Sequence, residues 1–468
     1  MNPLRPSAAR LTWLTGAFVT AFCALVATVG ADAHWLAALG RTIVRLGAIP
    51  KGVPYAAAYS GGWENVPVVG ELVFHGLESG LGDQGLVMLQ VLAVAVALVC
   101  LAYDMRQADA ADGPSALVLL LVAVAAASPL LVVRAQVFSL ALFPATVVLL
   151  RAQTRAPSAG IWLLVPLFAL WANLHGGVLV GAAVAGVYLI VHRLRHEPLV
   201  ALSVLCFSAA ALFATPSLLD TGDYYRGVLR SAAAESGEGL WAPLSPAAPF
   251  DLVFIVVSIV ILGLAVRSRP RLWELVALAG LVAMTAHVGR NGVWLVFFAA
   301  APAAFGLTGS RSWRIRPSRM LTGAMAALLA VLVTVGLART PASSAAGPSV
   351  RLAAVRAADG TPVLADDLDA EALALDGAVV WIANPLDAFG VNEQRLYLDW
   401  IAGRTAGDAL LLRARSVLVT RGSPAQKRLA RNGAFRMQVR DDRAALYVRY
   451  RPARWQSPPS TASSSTGS

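Results

Sequence analysis

Four ionisable residues stand where a largely apolar sequence breaks: Asp32, Arg134, His175 and Arg290. A carboxylate can take a proton from a hydroxyl, and a guanidinium can hold a phosphate through two parallel N–H donors. Polar and aromatic residues flank each of the four. His34 and Trp35 follow Asp32, and Trp63 and Glu71 lie further on. Gln136 follows Arg134, and Asn173 precedes His175 in the stretch Trp171-Ala172-Asn173-Leu174-His175-Gly176-Gly177. Arg226 and Arg230 lie in a later loop, and Asn291 follows Arg290. Each has an ordinary reading as well. An Asp at a helix end is commonly a solvated interface residue, an Arg can anchor at a membrane surface, and Asn or His can satisfy helix termini. What favours chemistry is that these independently placed residues all fall on one side of the topology.

That topology follows from the apolar runs. Hydrophobic residues make up 57% of the chain and charged residues 14%, which is membrane-protein composition. Runs of spanning character lie at about 11–31, 84–104, 115–132, 136–150, 160–175, 177–191, 199–215, 251–266, 272–287, 292–308 and 320–338, or about eleven helices. The first follows Arg5 and Arg10 and reads as an uncleaved helix, because no convincing cleavage site precedes a soluble domain. The loop at 32–83 opens with His34 to Ala48, amphipathic and suited to a membrane interface. A second short helix is expected over Val68 to Gly80.

The basic excess, 38 Lys and Arg against 27 Asp and Glu, does not indicate nucleic acid. It is nearly all Arg, gathered in short loops such as Arg193 with Arg195, Arg267 to Arg271 and Arg311 to Arg319. That asymmetry predicts a cytoplasmic N-terminus, and an odd number of spans then places the C-terminal portion outside. Asp32, Arg134, His175 and Arg290 all fall on the outer side. Cys23, Cys100 and Cys206 lie in apolar segments and suggest neither a disulfide nor a metal.

The expected organisation is a multi-spanning domain over 1–340, a Pro/Ala/Ser/Gly linker over 341–349, a small α/β domain over 350–455 and a disordered Ser/Thr-rich tail over 456–468. In the α/β domain, strands are expected at Thr361 to Ala365, Ala378 to Ile382, Ser416 to Val419 and Ala444 to Val448, with helices at Asn392 to Ala402 and Ser423 to Asn432.

Asp32-x-His34-Trp35 with Gly40-Arg41, then Gly47 to Pro50, Gly62-Trp63 and Glu71, resembles the first outer loop of bacterial GT-C-type membrane glycosyltransferases. A poorly characterised branch is resembled more narrowly, through Arg134-x-Gln136-x-Phe138-Ser139, Trp171 to Gly177 and Arg290-Asn291. The likeness covers about the first 310 residues well and the tail loosely. It implies a helical polytopic fold in the bacterial cytoplasmic membrane. It also implies transfer of a sugar from a polyprenyl-phosphate-linked donor to a glycan, lipid or protein acceptor on the outer face. Asp32 matches the position of the usual general base. The acidic residues the pattern often carries after Ile-Pro and before Trp241 are replaced here by Gly52-Val53 and Leu240.

Asp32 is thus the expected catalytic base. His34, Trp35, Trp63, Glu71, Arg134, Gln136, Asn173, His175, Arg226, Arg230, Arg290 and Asn291 are the expected substrate contacts. No cofactor is expected, and a divalent metal stays open. Besides donor and acceptor, the expected partners are membrane lipids. The alternative is a non-catalytic scaffold, flippase or transporter for envelope lipids or glycans. Transport would need polar residues spread through the depth of the membrane, and the spans carry few.

Overall fold

In the computed structural model the described residues are 10–229, 235, 241–308, 319–343 and 345–450. Arg5, Arg230, Glu238, the loop arginines Arg311, Arg314 and Arg316, and the tail over 456–468 lie outside them. The chain divides into two compact units. The first is Met1–Pro54, Tyr59–Ser344 and Asn384–Val391; the second is Tyr55–Ala58, Ala345–Ala383 and Asn392–Ser468. Neither unit is a single stretch of sequence. A piece of the first loop belongs to the second unit, and Asn384–Val391 belongs to the first.

The first unit is helical because an apolar chain without water must satisfy its own backbone. Its helices are α1 (Arg10–Val26), α2 (Ala33–Leu46), α3 (Val68–Leu81), α4 (Asp83–Gln107), α5 (Asp112–Ala125), α6 (Ala127–Leu131), α7 (Val137–Arg155), α8 (Leu164–Ala172), α9 (Val178–Val191) and α10 (Pro198–Ala211). After these come α11 (Thr221–Leu229), α12 (Pro249–Arg267), α13 (Leu272–His287), α14 (Gly292–Thr308) and α15 (Arg319–Ala338). An apolar helix therefore stands at each of the eleven expected positions. Among the described residues six are long and apolar enough to cross a membrane: α4, α7, α9 with its short extension, α12, α14 with the turn before it, and α15. The others are shorter apolar helices of 10–17 residues. The stretch over 115–150, expected to hold two spans, forms α5, the five-residue α6 and α7.

Packing orders the helices end to end. The backbone amides of Leu11 and Thr12 donate to Asp112 at 3.0 and 2.9 Å, which fixes the start of α1 to the start of α5. Ala111 N–H donates to Thr308 Oγ1 at 3.0 Å, bringing the end of α14 to the same place. At the other end of α1, a small parallel sheet ties three connections together. Its strands are β1 (Thr28–Val29), β2 (Val132–Val133) and β3 (Ala342–Ser343), in the order β2-β1-β3. The segment leading to Asp32 thereby lies in register beside the segment leading to Arg134.

The expected interfacial helix is present as α2, but its first ten residues are mostly buried and it packs on α3. Exposed apolar residues are confined to its last turn, at Val44 and Leu46.

The second unit is built on a four-stranded sheet in the order β4-β5-β7-β6, with β4 (Leu364–Ala365), β5 (Ser416–Thr420), β6 (Phe435–Arg440) and β7 (Ala444–Arg449). β4 pairs parallel to β5, and the β5-β7-β6 ladder is antiparallel. Helices α16 (Pro348–Ala358), α17 (Asp367–Leu375), α18 (Val391–Ile401), α19 (Asp408–Arg413) and α20 (Pro424–Leu429) complete it. The expected strand over 378–382 is reduced to bridges from Val380 to Val363 and Ala56. β6 was not among the expected strands, although Phe435, Met437 and Val439 alternate with Arg436, Gln438 and Arg440 in the period of two that marks a half-exposed strand.

Candidate active site

Asp32 sits at the N-terminus of α2 in the left-handed region, with φ 78°. A non-glycine residue held there costs about 1 kcal/mol or more and points to a surrounding structure that enforces it. The enforcing contacts are visible. Trp35 Nε1 donates to Asp32 Oδ1 at 3.2 Å, and Asn384 Nδ2 donates to the same oxygen at 3.4 Å. The parallel β1-β2 pairing then delivers Arg134 close by: Gly30 N–H donates to Val133 O at 3.1 Å, and Arg134 Nε lies 3.6 Å from where a Cβ on Gly30 would stand. That Nε is buried with no hydrogen-bond partner among the described residues.

Arg290 lies in the turn between α13 and α14, and its guanidinium stacks 3.6 Å over the Trp241 ring. Asp32 and Arg134 are the charges it feels, and its own charge acts on His175. Asp32, Arg134, Arg290 and His175 therefore form one electrostatic neighbourhood, although 258 positions separate the first from the last in sequence (Asp32 to Arg290).

The Trp171 to Gly177 stretch links α8 to α9 and fixes His175 in one tautomer. Trp171 Nε1 donates to Ser139 Oγ at 2.8 Å, so the Ser139 hydroxyl turns its hydrogen to His175 Nδ1, 2.7 Å away. Gly177 N–H donates to the same Nδ1 at 3.1 Å. With Nδ1 doubly engaged as acceptor, the ring hydrogen resides on Nε2. Burial, with Arg290 nearby, pushes His175 down to about 3, so it is a neutral donor and a poor base. A Cβ on Gly177 would lie 2.6 Å from Ser139 Oγ, so only glycine admits this arrangement.

The first loop closes on the same stretch. Gly70 N–H donates to Asn173 O at 3.1 Å, and a Cβ on Gly70 would lie 2.5 Å from Leu174 O. Next to it Glu71 is fully buried, accepts from Asn65 Nδ2 at 2.7 Å, and is pushed up to about 8 by burial. Trp63 Nε1 donates to Asp387 Oδ2 at 3.0 Å, and burial raises the Asp387 carboxyl to about 6. Tyr224 tilts against Trp63 with ring centroids 6.4 Å apart. It lies within electrostatic reach of Asp387, Glu71 and Asp32, and burial holds its phenol well above the usual range.

The expected residues divide accordingly. Asp32, Trp35, Trp63, Glu71, Arg134, His175 and Arg290 are brought together. His34 instead joins Asp83 at 2.7 Å at the start of α4. Asn173 spends its amide on Ala169 O and Ala214 O, at 2.8 and 2.7 Å, and so ties α8 to the end of α10. Gln136 begins α7, and Asn291 makes a 3.4 Å contact to Met284 O. Arg226 is exposed and paired with Asp223 one turn earlier, while Arg230 lies outside the described residues. Ser139, Tyr224, Asn384 and Asp387 are additions that the selection from sequence missed. Ser139 was within the Arg134 motif; no local signal ties Asn384-Pro385-Leu386-Asp387 to a loop over 300 residues earlier. Among the described residues no group of three or more His, Cys, Asp or Glu is arranged to hold a metal ion.

No family model matches the sequence, and no curated protein matches it either. Among solved structures the fold is similar to the crystal structure of ArnT from Cupriavidus metallidurans bound to undecaprenyl phosphate. The TM-score is 0.51 at 13% identity, over 92% of this chain and 96% of that one. At that identity the likeness is one of fold: the chain has an ArnT-like helical fold, with six helices among the described residues long and apolar enough to cross a membrane.

Proposed function

We propose that the protein is an inverting membrane glycosyltransferase that moves a sugar from a polyprenyl-phosphate-linked donor to a cell-envelope acceptor. The observation that carries this is the convergence of one fixed carboxylate, two arginines and a neutral imidazole N–H at one end of the helical unit. ArnT is bound to a polyprenyl phosphate in its structure, which supports the donor class. The topology is the one drawn from sequence: eleven spans, a cytoplasmic N-terminus, and the site and second unit outside the bacterial inner membrane.

Asp32 takes the proton of the acceptor hydroxyl as its oxygen attacks the anomeric carbon. The carbon–oxygen bond to phosphate breaks, and the pair of electrons leaves on the phosphate. Arg134 and Arg290 receive that charge, and His175 donates its Nε2–H without carrying a charge of its own. Preorganised donors aimed at a developing anion are a major source of rate. Trp35 and Asn384 orient the base, and Trp63 and Tyr224 offer ring faces to the sugar.

The test compares purified wild type and Asp32→Asn with radiolabelled polyprenyl-phosphate sugars. Turnover should fall by about 10² to 10⁴ with donor binding retained, the range for loss of a general base. Equal turnover in both proteins would remove Asp32 from the role. Failure of the wild type with every donor would turn the reading to a scaffold.

A further inference from the structure

A cavity lies at the end of the same helices opposite the candidate active site. α7 starts beside Arg134 and ends at Arg155, and α14 starts beside Arg290 and ends at Thr308. The rise of α7 alone separates its two ends by about 27 Å. Between the ends of α4, α7, α12 and α14 and the start of α13 is a space of ≈ 330 Å³, room for about ten water molecules. Arg155, Arg269, Arg271, Trp273 and Glu274 are among the residues that line it.

The charges around this space are unequal in what they already hold. Arg151 is saturated: it bonds Glu274, Asp104 and Phe298 O. Glu274 is held by Arg151 and by Arg271 N–H at 3.1 Å. Arg271 Nη1 donates at 3.0 Å to Thr154 O, a neutral acceptor that leaves its charge uncompensated. Arg155 and Arg269 are exposed and have no ion-pair partner among the described residues. Arg269 is held at φ 55°, which places it in the short turn between α12 and α13. With Asp104 counted, four arginines face two carboxylates. Trp273 adds a second kind of signal: it is 1% exposed, and its Nε1–H has no partner among the described residues. A buried donor without a partner is costly, and a ligand oxygen or water at the cavity would satisfy it. Phe305, a lining residue, and Leu272 beside the cavity are both exposed and apolar.

From this we infer a binding site for the phosphate head group of an anionic membrane lipid, in the leaflet opposite the candidate active site. Arg155, Arg269 and Arg271 hold the phosphate oxygens, Trp273 Nε1–H donates to the head group, and the exposed rings and chains of Phe305 and Leu272 meet the acyl chains. Basic pockets between membrane helices suit such head groups, and the surrounding apolar surface selects a lipid over a free anion. The site does not depend on sugar transfer.

The test uses the delipidated full chain with phosphatidylglycerol, phosphatidylcholine or inorganic phosphate, read by native mass spectrometry. Wild type should retain phosphatidylglycerol over phosphatidylcholine. Arg155→Gln/Arg269→Gln should bind it about thirtyfold more weakly, from the attraction each basic side chain adds. The charge-matched Arg106→Gln/Arg195→Gln should bind as wild type does. Trp273→Phe, which keeps the ring and removes the donor, should weaken binding several-fold with all charges intact. Equal losses in the two double variants, no loss in the first, or displacement of the lipid by millimolar phosphate would each overturn the assignment.

Discussion

Arg151 at one end of the helical unit and Arg134 and Arg290 at the other differ in what they hold. Arg151 is buried among α4, α13 and α14 with every guanidinium nitrogen engaged: Nε with Glu274 at 2.8 Å, Nη1 with Asp104 and Nη2 with Phe298 O at 2.8 Å. Its guanidinium also lies 4.8 Å from the Phe298 ring centroid. Arg134 keeps a buried Nε without a partner among the described residues, and Arg290 is held flat on Trp241. A saturated cation in an apolar bundle fixes helices. A cation whose donors are left over, positioned by stacking or by backbone pairing, is prepared for an anion that arrives later.

The sharpest way to break this contrast is to remove the saturated cation. Arg151→Met leaves Asp104 and Glu274 buried without their counter-charge, a loss of about 3–5 kcal/mol. The melting temperature in detergent should drop by many degrees, and Asp104→Asn/Glu274→Gln in the same chain should recover part of it. An unchanged melting temperature would mean that Arg151 is not structural. At the other end the signs reverse. Arg290→Ala should leave the melting temperature nearly unchanged and slow transfer by about 10² to 10³, the scale for losing one donor to a developing anion. A large fall in stability with activity per folded molecule preserved would place Arg290 in the structural class.

The same contrast shows what was legible in the sequence. The apolar runs marked all eleven apolar helices among the described residues, because a lipid-facing chain declares itself by composition alone. Asp32, Arg134, His175 and Arg290 were visible for the complementary reason: each interrupts that composition. The partners of their polar neighbours were not. His34 was taken for a substrate contact and is paired with Asp83, and Asn173 turned out to brace α8 against α10. Both outcomes depend on partners far away in sequence. Asn384 and Asp387 read as part of the tail domain and belong to the helical unit, an assignment that only long-range pairing could make.

Glu71 gives a pH-dependent test of the buried side of the site. Burial raises its carboxyl to about 8, so the folded protein keeps a proton that the unfolded chain releases near its ordinary value. Stability therefore falls as pH rises from roughly 5 to 8, and the full cost is present above that window. Glu71→Gln cannot ionise and can still accept from Asn65. It should match the wild type near pH 5 and melt higher near pH 9, by on the order of 2 kcal/mol in stability. A wild-type melting temperature that climbs across the same range would refute a neutral Glu71.

The smallest expected effect separates a residue that meets substrate from one that aims it. Ser139 is fully buried and relays between Trp171 Nε1 and His175 Nδ1. Ser139→Ala leaves both atoms short of one partner, at a cost of about 1 kcal/mol or somewhat more. Gly177 N–H still engages Nδ1, so the Nε2–H tautomer persists with a looser ring. Transfer should slow about fivefold, mostly in kcat, since the donor must still bind through Arg134 and Arg290. His175→Phe removes the Nε2–H itself and should slow transfer further, while the pH profile of wild type shows no limb near the ordinary histidine range, because burial keeps His175 neutral. If Ser139→Ala shifts KM alone, Ser139 supports binding and does not aim the ring; if a limb near pH 6.5 appears in wild type and vanishes in His175→Phe, His175 titrates in the working enzyme. The neutral-donor assignment that distinguishes it from Asp32 would then fail.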